Sequence, residues 1–377
     1  MILTLLLAQV AADPDIVVRA RRTEEALTAC IERRCPTPDD ARLSIAHAEA
    51  QFAQGEYHDA RRTLNAALSR QRGNAAQFPR VVAALYEANA TVNQHMGDMK
   101  IYRTMLIRQN RTLKENLPAD DPQVLLTAIQ LGDFWSSIGQ PFNAREQFEV
   151  AAEGYARRGE HRLAALSELR AATIDLHQDN RGSAERRLAT VQASPAAADR
   201  VVRQMAAVIA ARLARARGDE GAVDALLATL RTDPDNPPVL VREVPVIAAD
   251  AAGAANAVQQ RLGGVTLPTY VTASPQIQWA DVGFMVRPDG QVAEIEVLRG
   301  SRARDWTKPF VDSMRQRQYA PLDLPVGSPG VYRVERLTWR PERIAPTGYL
   351  SKQPLGRQGI QILDITNDRT AATPPAA

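Results

Sequence analysis

The side chains able to do acid–base or metal chemistry are few in this chain and do not converge. Its five histidines are His47, His58, His95, His161 and His177, and no two of them stand at the i, i+4 spacing that places two ligands on one helix face. The only cysteines are Cys30 and Cys35. Three readings fit them: a disulfide closing a small ring, two free thiols, or half of a metal site, although a tetrahedral zinc needs four ligands. Ser328 lies among turn residues in VGSPGV with no histidine nearby in sequence, and Glu294 and Glu296 alternate along an apolar strand pattern as on a solvated sheet face. There is no GxxxxGK[ST], HExxH, GxSxG or GxGxxG segment. The expectation is a chain with no catalytic residue, no bound metal and no cofactor.

The elements that carry these residues follow a long repeat. LGDFWSSIGQPFNAREQFEVAA, Leu131 to Ala152, reads as one helical hairpin, with Gly139 ending the first helix and Ala144, Phe148 and Ala151 on the inner face of the second. FAQGEYHDARRTLNAAL repeats it with Gly55, Ala60, Leu64 and Ala67, and HMGDMKIYRTML centres on Gly97, so the three glycines are 42 and 42 residues apart. Pro38, Pro79 and Pro122 give a second ruler with spacings of 41 and 43, each in the first turn of an expected helix, where its missing N–H is not needed. Thr37 and Asp121 are expected as N-caps. Further units centre on Ala184 and on Gly218, making five hairpins, with Tyr102 and Val223 standing where the others have a packing alanine.

These residues resemble the tetratricopeptide repeat family, in a variant with a period longer than 34 residues. The resemblance covers roughly 38–231 and is carried by Gly55, Tyr57, Ala60, Leu131, Gly132 and Ala144. It implies a groove lined by the first helix of each pair. Its positions here include Glu49, Glu87, Thr91, Gln94, His95, Asp133, Ser136, Ser137, Arg170, Thr173, His177, Arg212 and Arg215. Acidic side chains fall in the early repeats and arginines in the late ones, an arrangement that would orient an extended peptide carrying both charges. A plain solvated helix face is the alternative for each residue.

The period changes beyond Arg231. TDPDNPPVLVREVPVIAADAAGAANAVQQRLGG is rich in Pro, Gly and Ala and reads as a linker, with an edge strand at most over Val239–Val246 because of Pro245. From Ile277, Val282, Phe284 and Val286 alternate onto one face. The turn Pro288-Asp289-Gly290 and the run Val292 to Leu298 then complete a hairpin. Ser301 to Tyr319 reads as a helix with Trp306, Phe310 and Met314 on one stripe, and Val331–Arg340 as a closing strand. This ββαβ order, with VGFMVRPDGQVAEIEVLRGS and QRQYAPL, looks like the C-terminal domain of the TonB family over about 279–340. That resemblance implies a periplasmic module that takes up receptor segments by strand addition, with Val331, Arg333 and Glu335 on the exposed-edge candidate. The family's membrane anchor and Pro-rich spacer have no counterpart in this sequence.

The opening MILTLLLAQVAA resembles a secretory signal ending at Ala12. With +3 formal charge and interspersed signs, the 377 residues carry no nucleic-acid footprint. The expected organisation is a signal at 1–12, a segment with the Cys pair at 13–36, repeats at 37–231 and a linker at 232–276. A TonB-like domain at 277–343 and a tail at 344–377 follow, the tail with one further strand over Ile360–Ile365. The fold expectation is thus an N-terminal all-α tetratricopeptide-like solenoid followed by a small α+β domain. The functional expectation is a periplasmic, non-enzymatic adaptor for protein or peptide partners. Its rivals are an accessory of TonB-dependent transport that meets outer-membrane receptors, a hydrolase with a site between the domains, and repeats that only space or oligomerise the chain.

Overall fold

The computed structural model describes residues 14–219, 221–222, 225–226, 238–242, 277–301, 305–325, 327–340 and 359–366. The expected signal at 1–12, Val223, and most of the linker and tail lie outside them. The chain divides into a helical unit and a sheet unit.

The helical unit consists of α1 (Pro14–Glu32), α2 (Thr37–Ala53), α3 (Tyr57–Gln71), α4 (Pro79–His95), α5 (Met99–Asn116), α6 (Pro122–Ser137), α7 (Pro141–Arg157), α8 (His161–His177), α9 (Arg181–Gln192) and α10 (Arg200–Ala216). Helix α1 precedes the expected repeats and packs on α2. One backbone device ends most of these helices: a residue with positive φ after the last turn, followed by an N–H that reaches back five residues to a carbonyl. Gly55 (φ 81°), Gly97 (62°) and Gly139 (71°) take this role as the spacing predicts. Behind them Glu56 bonds to Gln51, Asp98 to Asn93 and Gln140 to Trp135 at 2.8–2.9 Å. Gly159 and Gly218 do the same after α7 and α10, with Glu160 bonding to Tyr155 and Asp219 to Ala214. Between α8 and α9 no glycine is present, and Asp179 adopts φ 56° instead, with Asn180 bonding to Asp175 at 2.8 Å. Asp tolerates this region better than most side chains because its short polar group bonds locally.

Helix starts follow the sequence less evenly. Asp121 caps α6, accepting from the Gln123 N–H at 3.0 Å, and Asp98 and Asp199 cap α5 and α10. Thr37 does not cap α2: Pro36 is the N-cap, and the Thr37 hydroxyl accepts instead from Asn74 Nδ2 at 2.9 Å. Small residues set the close approach of paired helices. Ala60, Ala144 and Ala184 are wholly buried. A Cβ on Gly132 would come within 2.5 Å of the Phe148 ring, so α6 and α7 can meet only with glycine there. Tyr102, in the position where the others have alanine, is half-buried and meets the Phe134 ring edge-on at 5.4 Å. Leu169, Ala172, Leu188, Val202 and Ile209 join α8, α9 and α10 in one apolar cluster.

In the sheet unit, β2 (Gln278–Val286), β3 (Val292–Gly300), β5 (Val331–Arg340) and β6 (Gly359–Asp364) form an antiparallel sheet in the order β3-β2-β5-β6. The β2–β3 turn is the expected one: Gly290 has φ 81°, and the Asp289 carboxylate accepts from the Gln291 N–H at 2.9 Å. Val282, Phe284 and Val286 are wholly buried against Met314, Tyr319, Leu322 and Leu337.

Two expectations are corrected here, and the expected edge strand is found. The segment from Ser301 to Tyr319 is not one helix; a 3-10 turn at Asp305–Thr307 leads into α11 (Lys308–Arg315), and Gln318–Tyr319 is a strand, β4. Pro309 in the first turn of α11 accounts for the late start. The possible edge strand is seen as β1 (Leu240–Arg242), paired with β4 through Leu240 and Tyr319. Strand β5 is not an exposed edge, because β6 pairs with it from Glu335↔Asp364 to Arg340↔Gly359.

Candidate functional site

Most of the expected groove residues come to the surface on the first helix of successive hairpins. Glu49 lies on α2, Glu87 on α4, Asp133 and Ser136 on α6, His177 on α8, and Arg212 and Arg215 on α10, all exposed. Gln94 and Arg170 are half-buried, as are Thr91 and Thr173, while Ser137 is exposed. His95 is the exception: it lies in the last turn of α4 but is buried, 3% exposed, so it does not present its ring to a groove as expected. These side chains reach from one hairpin to the next. Gln130 Nε2 on α6 donates to the Glu87 carboxylate on α4 at 2.8 Å, and Arg170 on α8 pairs with Asp133 on α6 at 3.5 Å. Exposed pairs of this kind contribute ~0.2–1 kcal/mol each, so they order the face more than they hold the unit together.

Sequence reading missed the stronger polar contacts, which lie inside the hairpins. The Asp175 carboxylate on α8 is wholly buried and accepts from Arg145 Nη1 at 3.0 Å, Arg187 Nε at 2.9 Å and the Ser183 hydroxyl at 2.7 Å. Arg187 also reaches Glu168 at 2.8 Å and Glu149. Burial alone would raise the Asp175 pKa, but the bonds from Ser183, Arg187 and Arg145 outweigh it and hold the group below its usual value. Asp40 repeats the pattern near the start of the repeats. Burial opposes its ionisation, yet Arg70, Gln71 and Ser44 donate to it and its pKa is lowered. In both clusters the central carboxylate is fully engaged by donors, which suits joints between helices and not acid–base exchange.

In the sheet unit, Val331 packs against the apolar core, Arg333 pairs with Asp364 on β6, and Glu335 accepts from Arg317 at 2.8 Å. These three expected partner contacts are therefore engaged within the unit. Asp281 on β2, also buried, joins Arg336 at 2.7 Å and Arg299 at 2.6 Å, and the Arg336 guanidinium lies 4.4 Å from the Trp279 ring centre. Burial and the nearby Glu335 carboxylate push the Tyr319 hydroxyl up to about 12.

Ser328 sits in a turn, its hydroxyl accepting from the Gly330 N–H, while every histidine belongs to a different part of the sequence. Glu294 and Glu296 are exposed on β3. Among the described residues no group of three or more His, Cys, Asp or Glu is placed to hold a metal, and no helix is long and apolar enough to cross a membrane. Cys30 and Cys35 are joined as a disulfide at the end of α1, where Arg34 adopts φ 53°.

No protein-family model and no curated protein sequence matches the chain. Among solved structures, BtubC from P. vanneervenii is similar at 16% identity over 71% of this chain and 98% of that one, with a TM-score of 0.47. The apo form of RapI is similar at 11% identity over 67% of each chain, also at 0.47. A Podosopora anserina protein with nearly identical TPR-like repeats gives 19% identity over 50% of this chain and 90% of that one, at 0.42. What the chain itself displays is an N-terminal all-helical repeat region and a small C-terminal sheet region.

Proposed function

We propose that this chain is a non-enzymatic interaction adaptor, whose helical repeats hold an extended protein or peptide segment along the first helices of the hairpins. The observation that carries the reading is the row from Glu87 through Asp133 and Arg170 to Arg212, exposed or half-exposed on successive first helices. Its sign runs from acidic to basic along the stack, so a segment with the opposite order would bind in one direction. In the same proposal the sheet unit is a TonB-like module and the protein works in the periplasm. The Cys30–Cys35 disulfide supports an oxidising compartment, and the β2–β3 hairpin followed by α11 and β5 supports the module. Receptor-segment capture at Val331–Arg340 is left out, since β6 lies along most of that strand.

The test is crosslinking in cells from a photoreactive residue at His177 or at Arg212, with the captured protein identified by mass spectrometry. Capture of one envelope protein from both positions is expected. Failure to capture any protein, together with turnover of a small molecule by the purified chain, would sink the adaptor reading.

A further inference from the structure

Outside the first-helix row, α5 carries an open hollow of about 360 Å³ lined by Arg103, Thr104, Ile107, Arg108 and Arg111, with Trp135 of α6 at its wall. We propose that this hollow binds an acidic segment of a partner protein, seating one bulky apolar side chain against Trp135 and Ile107 while carboxylates meet the three arginines. The proposal rests on the adaptor reading and assigns it a second contact surface with a defined partner chemistry.

The charge state of the hollow is the first reason. Several arginines of the helical unit reach carboxylates: Arg70 to Asp40, Arg80 to Asp121, Arg145 and Arg187 to Asp175, Arg217 to Glu185. Among the described residues Arg103, Arg108 and Arg111 have no carboxylate within ion-pair distance, and all three are exposed. Three guanidinium groups within about two turns of one helix repel one another, and an incoming carboxylate relieves that repulsion.

The apolar lining is the second reason. Ile107 is 38% exposed in the middle of the arginines, on the helix side opposite the buried Met105, Leu106 and Leu113. Trp135 is only half-buried, and Trp with Arg is the pairing that dominates protein contact sites once water is displaced. A volume of this size takes one large side chain and its neighbours, not a folded domain. Nucleic acid is the weaker fit, because the chain carries interspersed charges of both signs, and a single ring offers no stacking track.

The experiment uses the full chain and a fluorescein-labelled synthetic peptide in which glutamates flank one phenylalanine, read by fluorescence anisotropy. Saturable binding is expected, weakened tenfold or more by R108E/R111E and weakened also by Trp135→Ala, with helicity by circular dichroism unchanged in both. Both charge-reversal sites face solvent, so the double variant keeps its helix. Equal affinity in the wild-type and charge-reversed chains overturns the proposal, as does tighter binding of a single-stranded oligonucleotide that the same variant abolishes. Crosslinks from His177 and Arg212, read in that charge-reversed chain, report on the first-helix row separately.

Discussion

Arg187 Nε lies 2.9 Å from the fully buried Asp175 carboxylate, the central polar contact between α9 and α8. Removing one partner of a buried pair leaves the other charge desolvated, which costs about 3–5 kcal/mol. Asp175→Ala should therefore lower the urea midpoint of the helical unit well beyond the shift given by removing the exposed Asp133. The pH dependence has a defined sign. Asp175 and Asp40 both titrate below their ordinary value of 3.8, so their stabilisation is complete above it and is lost as pH falls through the lowered folded values. Acid unfolding of the wild type should show this loss below about pH 4, and Asp175→Asn should flatten it.

The helix-ending turns give a matched pair of substitutions. Gly139 has φ 71° and open space around its missing Cβ, so Gly139→Ala adds conformational strain without a clash. It should cost roughly 1–2 kcal/mol. Asp179, at φ 56°, is the opposite case. Asp179→Gly removes strain and should leave stability unchanged or raise it by less than about 1 kcal/mol. Thermal melts of the two variants should move in opposite directions or differ by several degrees.

Hydrogen exchange tests the covering of β5. The Ile365 N–H bonds to the Val334 carbonyl at 2.9 Å, and the Val334 N–H donates to the Thr366 hydroxyl. By strand alternation the amides of Arg336 and Thr338 then point toward β6, and those of Glu335 and Leu337 toward β2. A chain ending at residue 358 should lose protection at Arg336 and Thr338 while Glu335 and Leu337 remain slow. Uniform loss along β5 would mean that β6 holds the whole sheet together.

The disulfide closes a ring with a sequence separation of 5. So short a loop removes little unfolded-state entropy, and its loss should cost no more than about 2–3 kcal/mol. A Cys30→Ala, Cys35→Ala variant should fold, with a lower melting temperature, and Cys30 tolerates alanine because it is 3% exposed among apolar neighbours of α1.

Glycine and proline punctuation made the repeats legible, because Gly55, Gly97 and Gly139 act on the backbone within a few residues of themselves. Asp179 escaped notice for the same reason, since it does a glycine's work without a glycine's identity. The buried charge was illegible: Asp175 and its partner Arg187 on amphipathic helices read like any solvated face, and only the stacking of α7, α8 and α9 encloses the carboxylate. The hairpin of the sheet unit was local and was found. The further strand expected over Ile360–Ile365 forms as Gly359–Asp364; its pairing along β5 was left open by the sequence, because strand order depends on where a segment some twenty residues later returns. The arginines of α5 also gave no signal, as their lack of partners is visible only against the paired arginines around them.

A stack of hairpins closed by its own turns is in principle divisible, so that a duplication or deletion of one unit lengthens or shortens the array without rewriting it. The four-way contact of Arg187 removes that freedom locally. By tying Glu149 on α7 to Glu168 and Asp175 on α8 and to itself on α9, it makes 141–192 a single inheritable block. Recombination that cut between α7 and α8 would part the buried Asp175 from Arg145 and Arg187 from Glu149.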